Sequence, residues 1–566
     1  MNTAESAALR LYEKHEASLR AARCACLERG WFSLFQETPD RHPGGEAARE
    51  AAAAAFRAQL GRPFELDQPG TIDRVGDEVS PYTCEPLGID YPRGDPDALF
   101  AAARRAMPGW AAASPNARLG VCMEIVDRLY AEVFLGAQAV MHTAGQGALM
   151  SYAGSGTNAL DRGVEALAYA QAAMADVPAE ALWERRFGST TLRLRKRYRL
   201  VPRGVAVCFA CATFPTWNAY PAMLASLATG NPVIVKPHPT AILPMALAVR
   251  TFREVLAAAG YSPELVTLCC DTMVEPVGKR LVKHSQAAIV DFTGSARFGA
   301  WVEDNAAPAL CYTETSGVNT VVVESVEALE PVVRSLATTM SLFSAQMCTS
   351  PQNVYVPRDG IRCAGRRIPP DEFGAALADA ISFIADDHRR AGQIMAAIQS
   401  PGTLALIQEM AGSGRRRGRV LRESGPYAHA EFPAARTRTP LLVAVDAGER
   451  DLYGEERFGP IGFVITAGDR DAALDEAAGD ARRGGGITAF VYSTDPAYLA
   501  RSEQAFSESG AQLTCTLTGP MPLNFAAAYS DYHVSGLNPA GNATLTDLAF
   551  VASRFRITQV RAPEQA

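Results

Sequence analysis

The sequence predicts an α/β protein built from two successive series of short parallel strands and helices, with a small β arm lying outside both. Three observations carry this expectation. Apolar β runs alternate with helical segments from Gly204 to about Val323, and a second such series runs from about residue 318 to 515. The run TTLRLRKRYRLV, in which apolar and basic side chains alternate at the two-residue period of a strand with one wet face, belongs to neither. Length agrees, because 566 residues exceed the roughly 250–300 at which one hydrophobic core stops growing.

The opening third reads as Ala-rich helices (EAAREAAAAAFRAQL, ARLGVCMEIVDRLYAEVFLGAQAVMHTAG), broken by a Pro/Gly/Asp-rich stretch at 63–97. The first segment, MNTAESAALRLYEKHEASLR, carries Glu5, Glu13 and Glu16 with no apolar centre and reads as an amphipathic helix, not an export signal. In the first βα series, the strands GVAVCFA, PVIVK, LVTLCC and AAIVDF are separated by helices through PAMLASLATG and ILPMALAVRTFREVLAAAG. Helices of that length between strands imply right-handed crossovers and a parallel sheet, the architecture of a Rossmann-type dinucleotide-binding domain. NTVVV, QNVYV, GFVIT and TAFVYS supply the second series. The expected division is 1–187 with 203–316 for the helical region and cofactor domain, 317–525 for a catalytic domain, and 188–202 with 545–566 for the arm. No partner for the arm strand is evident nearby in sequence, and the C-terminal FRITQV is strand-like too.

A net charge of −7, spread over a chain with 48% apolar and 20% charged residues, argues against a nucleic-acid partner, which calls for a basic excess. No apolar run approaches the ~20 residues that span a bilayer, so no membrane partner is expected. Twelve irregularly spaced cysteines suggest no disulfide framework and suit a reducing cytoplasm. Cys208 and Cys211 form a C-x-x-C, but it lies in the apolar run VAVCFAC and no second pair completes a zinc site, so no metal is expected.

Several motifs carry chemistry. Cys348 lies in SAQMCTSPQNVYV, and Glu314 lies in TETSGVNTVVV, 34 residues earlier. A thiol activated beside a carboxylate suits covalent acyl chemistry. Lys236 ends a strand in LATGNPVIVKPHP, while DFTGSARFG offers Gly294 and Ser295 at a helix start, where backbone amides attract a pyrophosphate. EERFGPIGF contributes Glu456 and Phe458.

Taken together, these motifs resemble those of the aldehyde dehydrogenase superfamily over roughly residues 120–560. The resemblance implies that family's fold and places Cys348 as nucleophile and Glu314 as general base. The thiolate adds to the aldehyde, the oxyanion expels hydride to a nicotinamide dinucleotide, and water activated by the base hydrolyses the thioester. It further implies that Lys236 meets the adenosine ribose, that Gly294 and Ser295 set a helix near the pyrophosphate, and that Glu456 holds the nicotinamide ribose while Phe458 supports the ring. Phe214, Asn218 and Thr349 are expected along the substrate path. Two positions depart from the family pattern. Thr213 stands where most members carry the Asn that shares the oxyanion with the Cys amide; its hydroxyl could substitute as donor, which places Thr213 with the catalytic residues, but losing such an amide typically costs ~100-fold or more in rate. Asn218, one helical turn beyond Phe214, reads as tunnel lining and not as that donor's replacement. Pro239 stands where NAD-preferring members often carry a Glu, which favours NADP with NAD as the alternative.

Within the superfamily, FPTWNAYPAMLASLATGNPVIVKPHP, YTETSGVNTVVV and NPAGNATLTDLAFVASRFR look most like the PaaN-type branch of phenylacetic acid degradation. That likeness implies a small-molecule aldehyde substrate, the ring-opened CoA-linked semialdehyde of that route, and a homodimer or homotetramer whose arm strands pair between subunits. CoA-acylating relatives commonly lack the base, so Glu314 argues against that activity. A catalytically weak binding subunit is the other alternative, supported by Thr213 and opposed by Cys348, Glu314, Lys236 and Glu456. The basic run GSGRRRGR at 412–419 could meet CoA phosphates, although its composition favours a solvated, mobile loop.

Overall fold

The computed structural model describes residues 3–519 and 526–564. The expected catalytic-domain limit at residue 525 and the last two residues of the expected arm lie outside the described residues. Two parallel sheets dominate, as the alternation of β runs and helices requires. In the first, the strands lie in the order Val266–Leu268, Val233–Lys236, Val205–Phe209, Ala287–Thr293, Leu310–Glu314, all parallel. The chain starts in the middle, winds outward one way and then the other, so the C-terminal ends around Val205–Phe209 form a crevice where order reverses. The last strand, Leu310–Glu314, was not among the expected runs, since LCYTE is short and half polar.

The second sheet has seven strands ordered Arg419–Arg422, Leu441–Asp446, Ile461–Ala467, Pro351–Pro357, Asn319–Val323, Thr488–Tyr492, Gln512–Cys515. Every neighbouring pair is parallel except Arg419–Arg422 against Leu441–Asp446. Its central strands are buried on both faces, and they read accordingly as continuous Val/Tyr/Phe runs instead of alternating ones.

The N-terminal helix Thr3–Glu28 packs on the helices Pro115–Ala131 and Ala159–Ala175. Ala8, Leu19 and Ala22 join Val121 and Ile125 in the core that continues into the cofactor domain. On its wet side, Lys14 bridges Glu124 at 2.7 Å and Asp127 at 2.9 Å. The extension is therefore part of that domain's outer wall.

Three expectations are corrected. The strand Thr190–Pro202 does have a partner nearby, because the preceding segment Glu180–Phe187 folds back on it as a hairpin around Gly188. Glu184, Arg185 and Arg186 interrupt the apolar pattern there, which conceals the strand. The C-terminal strand Phe555–Pro563 pairs along the other edge of Thr190–Pro202 within the same chain, not across subunits. The run at 412–419 is not a loose loop: it comprises the end of the helix Pro401–Arg417 and the start of the strand Arg419–Arg422. Arg415 pairs with Glu423 at 2.8 Å, Arg417 with Glu449 and Asp451, and Arg419 with Asp371, so three of its four guanidinium groups already face carboxylates.

One buried pair fastens the arm to the cofactor domain. Arg554, wholly buried, donates to both carboxylate oxygens of Asp291 on Ala287–Thr293, at 2.9 Å for Oδ2, and to Ser226 Oγ at 2.7 Å. Its own carbonyl accepts from Asn231 Nδ2 at 3.0 Å. Removing one charge would strand the other in a dry site, so Arg554→Met is expected to cost about 3–5 kcal/mol, read as a lower urea midpoint. Asp291→Leu in the same chain should recover much of that loss. A single-variant loss below about 1 kcal/mol would show that the pair is dispensable.

Candidate active site

Glu314 ends the strand Leu310–Glu314, and only 1% of its surface is exposed. Five residues later, at Asn319, the chain enters the second sheet, and the turn between the two is what holds the Cys348 loop. Asn319 Nδ2 donates to the carbonyl of Cys348 at 2.7 Å and to that of Ser350 at 2.9 Å, while its Oδ1 accepts from the amides of Ile487 and Thr488. Gly317 lies so close beneath Cys348 that a Cβ there would sit 2.0 Å from the Cys348 carbonyl oxygen. TETSGVN thus supplies both the acid side chain and the seat of the thiol loop.

The approach to Cys348 is strained. Phe343, Ser344 and Ala345 have φ of 53°, 52° and 50°, three consecutive left-handed residues without a glycine, each costing of order 1–3 kcal/mol. The neighbouring segment over-determines them. Ser344 Oγ donates to the Ala396 carbonyl at 3.0 Å and accepts the Ala396 amide at 3.1 Å. Gln346 spans to the Ala397 carbonyl at 3.0 Å and the Gln399 amide at 2.8 Å.

The structure brings a third group to the centre that no sequence expectation named. His533 Nε2 lies 3.0 Å from Glu314 Oε1 and 3.8 Å from Cys348 Sγ, and the residue is 2% exposed. Trp217 meets its ring edge to face at 4.6 Å, and its backbone pairs in both directions with Leu545. A lone His in DYHVSG, 185 residues from Cys348, offers no spacing by which sequence could have found it.

Charge organises this cluster. Burial alone would raise the Glu314 carboxyl, but the charge and hydrogen bond of His533, with hydrogen bonds to Cys348 and Asn218, outweigh it and hold Glu314 below the usual carboxylate range. Burial, then the Glu314 charge, push the Cys348 thiol well above its usual value. In the resting site a protonated thiol therefore faces an ionised carboxylate able to take its proton. Asn218, expected to line the tunnel, reaches the base itself. Cys208 is buried in its strand as expected, whereas Cys211 lies just beyond the strand end, feels the Glu314 charge, and is pushed up to about 11 chiefly by burial.

Thr213 sits in the turn after Val205–Phe209, and its carbonyl accepts from Gln146 Nε2 at 2.7 Å. Phe214 packs edge to face on Phe343 at 5.3 Å, joining the expected substrate wall to the strained turn. Trp217 is backed by the Arg162 guanidinium at 4.8 Å, itself paired with Glu165 at 2.8 Å. Thr349 is buried, with its carbonyl accepting from Thr488 Oγ1 at 3.1 Å.

The residues expected to hold a dinucleotide cluster at the C-terminal ends of the first sheet. Lys236 ends the second strand and pairs with buried Asp271 at 2.7 Å; Pro239 follows it, also buried. Ser295 caps the helix Ala296–Asn305 by accepting the Phe298 amide at 3.4 Å. A Cβ at Gly294 would press 2.7 Å from the Phe292 ring, so the backbone here is kept bare at a helix start, as a pyrophosphate cradle requires. Across the crevice, the Glu456 carboxyl accepts the Gly317 amide and is pushed up to about 7 by burial, and Phe458 is half-buried beside it. This donor set fits a nicotinamide dinucleotide.

Comparison with known proteins agrees with this geometry. Residues 76–522 match the model of the aldehyde dehydrogenase family. A vanillin dehydrogenase of Pseudomonas fluorescens is 28% identical over 476 residues, 82% of this chain and 87% of the relative. A solved NAD-dependent aldehyde dehydrogenase from Burkholderia multivorans superposes with a TM-score of 0.95 at 43% identity, covering 98% of this chain and 99% of that one. At 17% identity, a 1-pyrroline-5-carboxylate dehydrogenase of Thermus thermophilus shares the fold, with a TM-score of 0.75 over 94% of this chain and 99% of that chain. With its matched span covering most of the sequence, this chain belongs to the aldehyde dehydrogenase family.

Proposed function

We propose that Cys348 is the nucleophile and Glu314 the general base of a hydrolytic aldehyde dehydrogenase acting on a CoA-linked or aromatic-sized aldehyde. The single observation that carries the reading is the convergence of Cys348 and Glu314 at the junction of the two sheets, with His533 in contact with both. Glu314, ionised and hydrogen-bonded to the thiol, takes its proton as sulfur attacks the carbonyl, and later takes one from the water that cleaves the thioester. When bound, the nicotinamide dinucleotide supplies the hydride acceptor. Lys236, Gly294, Ser295, Glu456 and Phe458 would hold it.

Two observations bear on the aldehyde. The resemblance of three long segments to the PaaN-type branch supports the ring-opened CoA-linked semialdehyde. The aromatic wall of Phe214, Trp217 and Phe343, with the likeness to a vanillin dehydrogenase, supports an aromatic aldehyde as the second reading. Product formation with each class, with and without free CoA, separates them, and acid as product in both cases excludes the acylating activity. All twelve cysteines are free, which supports a cytoplasmic enzyme. Among the described residues, no helix is long and apolar enough to cross a membrane.

The three-stranded arm leaves the outer edges of Glu180–Phe187 and Phe555–Pro563 open, with Leu182, Phe187, Ile557 and Val560 exposed. Open edges carrying apolar side chains invite a partner, which supports a homodimer or homotetramer. Truncation after Ala552 removes the third strand and should give aggregated or inactive protein. A fully active monomer in light scattering, truncated or intact, would refute the assembly.

For the chemistry, Cys348→Ala should abolish turnover while cofactor binding survives, and residual activity above about one part in a thousand would sink the assignment. Glu314→Gln should slow both the burst of reduced cofactor and steady-state turnover, the latter about 100-fold or more, because the thiol and the hydrolytic water both lose their proton acceptor. A burst that stays at the wild-type rate would mean that the thiol loses its proton elsewhere and that Glu314 serves hydrolysis alone. For the cofactor, Pro239 places no carboxylate against a 2′-phosphate, so NADP should serve at least as well as NAD, and Pro239→Glu should shift preference towards NAD by about 1–3 kcal/mol. A wild-type kcat/KM far higher with NAD would overturn that reading.

A further inference from the structure

We propose that His533 is the side-chain donor of the oxyanion site, in place of the amide that Thr213 does not provide. The inference rests on the reading above that Cys348 attacks an aldehyde, and it names the group that makes this attack efficient in a chain with Thr at the usual Asn position.

Geometry comes first. The oxygen of a thiohemiacetal is two bonds from sulfur, and an oxyanion donor works at about 2.7–3.1 Å from it. An atom meeting both conditions fits readily between Cys348 Sγ and His533 Nε2, which are 3.8 Å apart. Nε2 is the nitrogen that carries the proton. It lies 3.0 Å from Glu314 Oε1, and an ionised carboxylate only accepts, so the hydrogen bond requires an N–H on the imidazole side. His533 is also preorganised: buried to 2% exposure, wedged against Trp217, and fixed at its backbone by the two hydrogen bonds with Leu545. A donor whose orientation is set beforehand needs no reorganisation when charge develops.

The proton and electron balance follows. As Sγ bonds to the carbonyl carbon, the thiol proton passes to Glu314 and the π electrons of the carbonyl move to its oxygen. Glu314 becomes neutral at that moment. Its charge-assisted hold on the Nε2 proton weakens by roughly half just as a full negative charge appears beside the same N–H. The N–H then shifts its hydrogen bond from the neutralised acid towards the oxyanion, while the proton stays on Nε2. When hydride leaves and the carbonyl reforms, the oxygen loses its charge and Glu314 can release its proton and regain His533.

The test is the rapid-mixing burst of reduced cofactor with benzaldehyde and hexanal as probes. His533→Ala should slow the burst about 100-fold or more, with cofactor affinity close to wild type. Adding Thr213→Asn to that variant should restore at least tenfold, because it returns an amide donor to the other side of the oxyanion. A burst unchanged in His533→Ala overturns the proposal. So does a slowed burst that Thr213→Asn fails to rescue, since His533 would then act only by holding Glu314, and the pH profile of Cys348 alkylation would shift with it. Should the Ala variant not fold, His533→Gln, which keeps an N–H donor, should stay within about tenfold of wild type while His533→Leu loses the burst; equal loss in both overturns it. Absence of any reduced cofactor from wild type with either probe would instead strike at the proposed activity.

Discussion

The catalytic centre depends on one seam, where the strand ending in Glu314 is closed by a segment from more than 220 residues later. Thr315 donates its amide to the Ala540 carbonyl at 2.8 Å, its hydroxyl reaches Pro539, and the Thr313 amide is taken by Asn542 Oδ1 at 2.9 Å. Glu314 itself is bridged by Gly541. An edge strand of a parallel sheet would otherwise expose these groups to water, and capping them is what makes a dry carboxylate tenable here. The same closure delivers His533. The return segment doubles on itself through the His533–Leu545 pairing, so stabilising the strand and charging the site are one structural act.

Dryness has a consequence for the thiol. Burial itself disfavours the thiolate, and the Glu314 charge, which water would screen but a low-dielectric site does not, adds to that and keeps the thiol protonated. The site therefore stores the proposed nucleophile in the inert form, with the proposed proton acceptor beside it. His533 is central to that balance, because it is what keeps Glu314 ionised against its own burial. A resting thiol of this kind is less open to oxidation than an exposed thiolate, since susceptibility follows thiolate character.

Legibility in the sequence followed locality. The strands with continuous Val/Ile runs, the helices between them and the motifs around Cys348, Glu314 and Lys236 could be read because each is specified within a few residues. The hairpin strand Glu180–Phe187 could not, since its pairing decides its structure and its charges break the pattern. The run at 412–419 looked like a loop because Gly and Arg dominate it, yet ion pairs to Glu423, Glu449, Asp451 and Asp371 come from elsewhere in the chain. His533 is the extreme case. Nothing local marks it, and only the closure of the seam places it within reach of both catalytic side chains.

The strained turn before Cys348 completes the argument about how position is enforced. Three left-handed residues in a row would relax if left alone, and a relaxed turn would let the thiol drift from Glu314. They are held on one side by Ser344 and Gln346 bonding to residues 396–399, and on the other by Asn319 bonding to the Cys348 and Ser350 carbonyls. Phe343, the first strained residue, also packs on Phe214 of the crevice loop. The turn is thus gripped by both sheets at once. Cys348 Sγ can sit within 4.8 Å of a Glu314 carboxylate oxygen carried by the other sheet only because the two sheets are joined through this turn as well as through the segment that links them.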